Sequence, residues 1–135
     1  MSETIKMKGR LLTLDRRDSI GVKFSKECKI EYPDVVPVVW NFDFHKADMV
    51  LGNAVVSRDE TGLICDATLN NSKVLDVLLE LNNELPIGGY FIGVKTSYDD
   101  QGVRTVDECK LRGIGVTLAP ADEDNKLVLV EESEE

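Results

Sequence analysis

Apolar residues in this chain recur at every second position through most of its length, and that period admits strands and little else. Residues 7–14 read as a strand, with Gly9 expected to mark a bulge. Residues 20–24 and 28–32 read as two short strands around polar residues, after the turn Asp15-Arg16-Arg17-Asp18-Ser19. Val35 to Trp40 is a β-branched run whose Pro33 and Pro37 push it toward a sheet edge or entry. Residues 50–57 and 63–69 alternate around Asp59-Glu60-Thr61-Gly62, which is turn chemistry, so the two form a hairpin. Further strands are expected over 90–98, 103–106, 108–118 and 126–130, with Asp99-Asp100-Gln101-Gly102 as a loop tip.

One segment changes period. Asn70-Asn71-Ser72 supplies helix-capping side chains, and Val74, Leu75, Leu78 and Leu81 then fall on one helical face. Asp76, Glu80 and Asn83 take the wet side, and Pro86 with Gly88-Gly89 ends the run. The expectation is one central helix from about Ser72 to Glu84 in a mostly β (α+β) chain. It closes into a compact, closed or partly open β-barrel of one domain, residues 1–130, with an acidic tail over 131–135.

Charge narrows the partners. The 135 residues hold 16 Lys+Arg against 25 Asp+Glu, a net charge of −9. Seven acids and one lysine between Asp122 and Glu135 carry −6 of it, leaving −3 for the body. Such a balance disfavours a grip on phosphate backbones and on anionic lipid, so neither nucleic acid nor membrane is an expected partner. The acidic segment reads as a solvated terminus. No stretch approaches the ~18 apolar residues of a spanning helix, and the amino terminus lacks an apolar signal core, so a cytoplasmic location is expected. Cys28, Cys65 and Cys109 are odd in number and widely spaced, which makes neither a disulfide framework nor a zinc site. They read as reduced, buried strand cysteines.

The residues alone announce no catalysis. His45 is the one histidine, and Asp43 and Asp48 beside it do not make a metal site. No serine sits in a G-x-S-x-G elbow, and the glycines follow no phosphate-loop pattern. No cofactor and no metal are expected.

Several motifs nevertheless fall in a familiar order. Val36-Pro37-Val38-Val39-Trp40-Asn41-Phe42-Asp43 precedes Leu51-Gly52-Asn53-Ala54 and Asp59-Glu60-Thr61-Gly62-Leu63. After the helix come Gly89-Tyr90-Phe91-Ile92-Gly93-Val94 and then Leu111-Arg112-Gly113-Ile114-Gly115-Val116-Thr117-Leu118-Ala119-Pro120-Ala121. This series resembles the prohead (capsid maturation) protease of tailed bacteriophages, whose fold is akin to the herpesvirus assembly protease. The likeness runs from about Gly9 to Lys126 and implies a prohead-protease-like barrel and a role at the capsid.

The departures shape what the resemblance implies. The family histidine falls on Phe42, the nucleophilic serine on Phe91 and the acidic residue on Gly113. A serine protease needs a hydroxyl and an imidazole to deprotonate it, and phenylalanine supplies neither. The resemblance therefore implies a pseudo-protease: a non-catalytic structural virion protein that decorates or stabilises a phage capsid. It is assembled in the host cytoplasm and bound to the major capsid protein or other capsid subunits, as a dimer or trimer. Two alternatives stay open. One is an active serine endopeptidase of capsid maturation that uses the displaced candidates His45 and Ser97. The other is an assembly or scaffold-associated factor. Under the leading reading Phe42 and Phe91 are both expected to be buried and to pack together in the former cleft.

Overall fold

The structure is a computed structural model that describes residues 4–17, 21–43, 49–70, 72–81, 84–117 and 124–130. Outside the described residues lie His45, the tail 131–135, Asp18 to Ile20, Asn71, Asn83, and Leu118 to Ala121.

The described residues form eight strands and one helix in the order β1 (Thr4–Thr13), β2 (Val22–Glu31), β3 (Val35–Trp40), β4 (Val50–Arg58), β5 (Gly62–Asn70), α1 (Lys73–Leu81), β6 (Glu84–Tyr98), β7 (Arg104–Val116) and β8 (Lys126–Leu129). Seven of the strands close into a ring in the order β7-β3-β4-β5-β1-β8-β6, with β6 pairing back onto β7. The chain is thus mostly β, a closed barrel with one short helix. Strand β2 stands outside the ring and pairs with β7 in parallel. It occupies the same edge of β7 as β3: β2 pairs with residues 104–110 and β3 with residues 114–116.

Alternation puts one side chain in two inside. Val36, Val38, Leu51, Ala54, Val56, Leu63, Cys65, Ala67 and Leu69 fill the core from β3, β4 and β5. In β1 the register slips between Arg10 and Leu12, so the neighbours Leu11 and Leu12 are both buried. A bulge turns consecutive side chains to one face. The bulge therefore sits at Leu11, not at Gly9. Gly9 serves a different purpose: a Cβ there would lie 1.7 Å from the Lys126 carbonyl oxygen, where β8 crosses β1. Only glycine lets two backbones approach this closely.

Two sequence readings are corrected. The expected strands over 20–24 and 28–32 form one strand, β2, with an irregularity between Phe24 and Lys29; those over 103–106 and 108–118 likewise merge into β7. The helix does not reach Glu84. Ser72 caps it as expected, its Oγ accepting a hydrogen bond from the Leu75 amide (3.3 Å), and Leu75 and Leu78 are buried. Glu84, Leu85 and Pro86, however, are already paired with β8. A ladder to a distant strand overrides the helical pattern at the helix end.

Two aspartates hold the turns. Arg10 donates two hydrogen bonds to Asp59 (2.6 and 3.2 Å), and Asp59 Oδ1 also accepts from the amides of Thr61 (3.0 Å) and Gly62 (2.8 Å). Asp99 accepts from the amides of Gln101 and Val103 and pairs with Lys23 of β2 at 2.8 Å. The Arg10 guanidinium holds the Asp59 carboxyl well below its ordinary 3.8, and Lys23 with the turn amides lowers Asp99 to about 2. A carboxylate depressed by folding contributes stability that is present above its unfolded pKa and lost as pH falls through the folded one. The melting temperature is therefore expected to stay level down to about pH 4 and to drop between about pH 4 and pH 2. Asp59→Asn should lower it at neutral pH and flatten the acid fall. An equally steep fall in that variant removes Asp59 from the account.

Candidate functional site

The run that carries the strongest motif, Val36 to Asp43, ends in a tight turn. The Asp43 amide donates to the Trp40 carbonyl (3.0 Å), and the Asn41 amide donates to Val116 of β7 (2.7 Å). Asn41 and Phe42 both take left-handed backbone conformations, φ 51° and 61°. Asparagine tolerates this and phenylalanine does not, since its Cβ crowds the following carbonyl. Such strain persists where surrounding structure holds it.

A glycine shelf does the holding. Gly88 of β6 and Gly115 of β7 face each other across the ladder. A Cβ on Gly115 would come within 2.4 Å of the Phe42 ring, and one on Gly88 within 3.0 Å. The ring thus lies against two residues that carry no side chains. It keeps 36% of its surface exposed. Beside it a shallow groove of about 500 Å³ is lined by Trp40, Asn41, Phe42, Asp43 and Met49. Tyr90 is two residues beyond Gly88 on the same face, is 42% exposed and pairs with Gly113.

Phe91 goes the other way. Alternation along β6 places Gly89 and Phe91 with the buried Ile87, on the face opposite Gly88 and Tyr90. The Phe91 ring covers Gly89 and packs on Phe24 of β2, centroids 5.0 Å apart. The expectation that Phe42 and Phe91 are both buried and in mutual contact is therefore corrected. Phe91 is on β6 and Phe42 in the turn after β3, and the two rings lie against opposite faces of the β6–β7 ribbon. Gly113 shares the outer face with Gly115. Ser97 lies six residues beyond Phe91, exposed, paired with Thr105.

Comparison with family models, curated proteins and solved structures returns no match. The chemistry must then be read from the side chains themselves. Phe42, Trp40, Met49 and Tyr90 offer apolar and aromatic contact rimmed by the Asp43 carboxylate. Among the described residues, no group of three or more His, Cys, Asp or Glu is arranged to hold a metal.

One arrangement escaped the sequence reading. Cys28, Cys65 and Cys109 are buried and free, as expected. Yet the β2–β7 ladder sets Cys28 and Cys109 on neighbouring strands, where each thiol perturbs the other's ionisation. Burial pushes Cys109 and Cys65 up to about 12 and raises Cys28 as well. Eighty residues of intervening chain give no local signal for such a pair.

The shelf makes a direct test. Gly115→Ala should cost about 1–2 kcal/mol, because the three atoms nearest its new Cβ all belong to the Phe42 ring. In a Phe42→Ala background the same change should be nearly neutral, a coupling of about 1 kcal/mol in urea unfolding. Additive costs would show that the ring does not rest there.

Proposed function

We propose that this chain is a non-catalytic structural protein of a phage particle, built on a prohead-protease-type barrel, that decorates or stabilises the capsid. The observation that carries the reading is the content of the three positions where the resemblance places a histidine, a serine and an acid. They hold Phe42, Phe91 and Gly113, with no imidazole, hydroxyl or carboxylate among them. A triad works only when its base touches its nucleophile. The two phenylalanine rings lie against opposite faces of the β6–β7 ribbon, which argues against simple restoration as well.

What remains at the former histidine position supports a contact role. An aromatic ring held out over a glycine shelf, next to Trp40, Met49 and an exposed Tyr90, is the kind of rigid apolar anchor that protein interfaces favour. The partner we infer is the major capsid protein, met by a dimer or trimer of this chain. Many identical copies on a shell multiply a modest affinity.

The test is co-sedimentation of the purified full chain with mature capsids across a range of salt. Saturable binding at a fixed number of copies per capsid is expected. No binding at any salt overturns the decoration reading. In parallel, a fluorophosphonate probe should leave the chain unlabelled, and the Phe42→His/Phe91→Ser variant should not cleave capsid or scaffold protein. Labelling at Ser97 that disappears in Ser97→Ala would overturn the non-catalytic half.

A further inference from the structure

The cysteine pair carries an inference that stands apart from the capsid reading. Among the described residues, β2 is the one strand outside the ring, held by its ladder to β7 and by the Lys23–Asp99 ion pair. That ladder is interrupted between Phe24 and Lys29. Cys28 lies in the interruption. Beyond it Lys29 pairs with Glu108 and Ile30 with Cys109, so Cys28 sits diagonally across from Cys109 on the adjacent strand. Both side chains turn inward and are 1% exposed. Two residues before Ile30, Cys28 shares by strand alternation the face of Ile30 and of its partner Cys109, and each thiol perturbs the other's ionisation.

Access and charge complete the arrangement. A groove of about 510 Å³, lined by Lys29, Arg58, Gly93, Glu108 and Lys110, reaches Cys109. Arg58 anchors its guanidinium over the pair by donating to the Cys28 carbonyl at 2.8 Å. It is the cation that favours a thiolate on either sulfur. Asp107 and Glu108 oppose it at Cys28, and Glu108 does so at Cys109, while Cys65 faces the core from β5 with Asp66 as its perturbing charge.

We propose that Cys28 and Cys109 form an intramolecular oxidation site, a thiol pair that a peroxide-class oxidant closes into a disulfide fastening β2 to β7. One sulfur, as thiolate, attacks a peroxide oxygen and becomes a sulfenic acid, and the departing hydroxide takes up a proton to leave as water. The second thiolate attacks that sulfur. The S–S bond forms as the S–O bond breaks, and the oxygen leaves as a second water. Overall, two thiols lose two protons and two electrons, and one peroxide becomes two waters. Burial makes the thiolates scarce at neutral pH, so closure is slow there and quickens as pH rises. A reducing compartment keeps the pair open; an oxidising one drives it shut.

The experiment uses the full-length protein, reduced and then freed of reductant, exposed to hydrogen peroxide at several pH values. Intact mass should fall by two hydrogens, free thiols should drop from three to one, and non-reducing peptide mapping should join the Cys28 and Cys109 peptides. The rate should climb with pH. The oxidised form should melt at a higher temperature, and dithiothreitol should reverse the shift. Cys65→Ala should close as wild type does, while Cys28→Ala and Cys109→Ala should lose the product. A bridge that involves Cys65, a bridge between chains, or three intact thiols after prolonged exposure would each overturn the proposal, and wild type alone suffices to read them.

Discussion

Gly9→Ala should lower the melting temperature by about 12 °C, the equivalent of about 3 kcal/mol in a domain of this size. The new methyl would lie 1.7 Å from the Lys126 carbonyl oxygen and 2.8 Å from its carbon. Those atoms are backbone, so no side chain can swing aside. The strands must part, and β8 touches β1 over only four residue pairs, Met7–Leu129 to Arg10–Lys126. Losing them opens the ring between β1 and β8. Gly102→Ala is the control. Its φ is +79° with nothing within 4 Å, so it costs only the left-handed conformation, about 1 kcal/mol. Thermal melts followed by circular dichroism separate the two. Equal losses would show that crowding at β8 contributes nothing.

The second large effect is expected at Ile114. It is fully buried and sits where β7 meets two neighbours, paired with Val38 of β3 on one side and Gly89 of β6 on the other. Ile114→Ala should cost about 3–4 kcal/mol, the transfer of the lost methyls plus the cavity they leave, and Ile114→Val about 1 kcal/mol. Urea unfolding gives both figures. Hydrogen exchange adds location: amides of 38–40 and 114–116 should lose protection first in the alanine variant, since the parallel pairing there is the shortest ladder of β7. A loss under 1 kcal/mol for Ile114→Ala would mean the ring is not closed around this residue.

How much of this was legible beforehand follows the range of the interactions. The β4–β5 hairpin was readable because its turn residues and alternation lie within twenty positions of each other, and β3 falls at Val35–Trp40 as its composition suggested. The helix was readable at its cap and its buried leucines. Its end was not, because Glu84 is claimed by β8, more than forty residues away. Likewise nothing near Asp107 says that β7 continues past it; β2 and β6 pair with β7 on both sides of that residue, each with a register shift across it. The candidate site repeats the pattern. Phe42 and Phe91 could be matched to a motif, but the face each takes depends on register with β7. The left-handed turn at Phe42 depends on two glycines more than forty residues downstream.

The single parallel junction in the ring has a consequence of pure counting. Each antiparallel neighbour reverses the chain direction, and one circuit must return to the starting direction, so reversals must be even in number. Seven strands cannot close on antiparallel pairs alone; this ring closes on six, with β3 and β7 running together. The same parity governs replacement. Take away β8, and β1 and β6, each antiparallel to it, are left side by side and parallel. A strand lent by another molecule can restore both antiparallel ladders only by pointing as β8 points; reversed, it would run parallel to both neighbours, so the slot distinguishes the two directions of an exchanging strand.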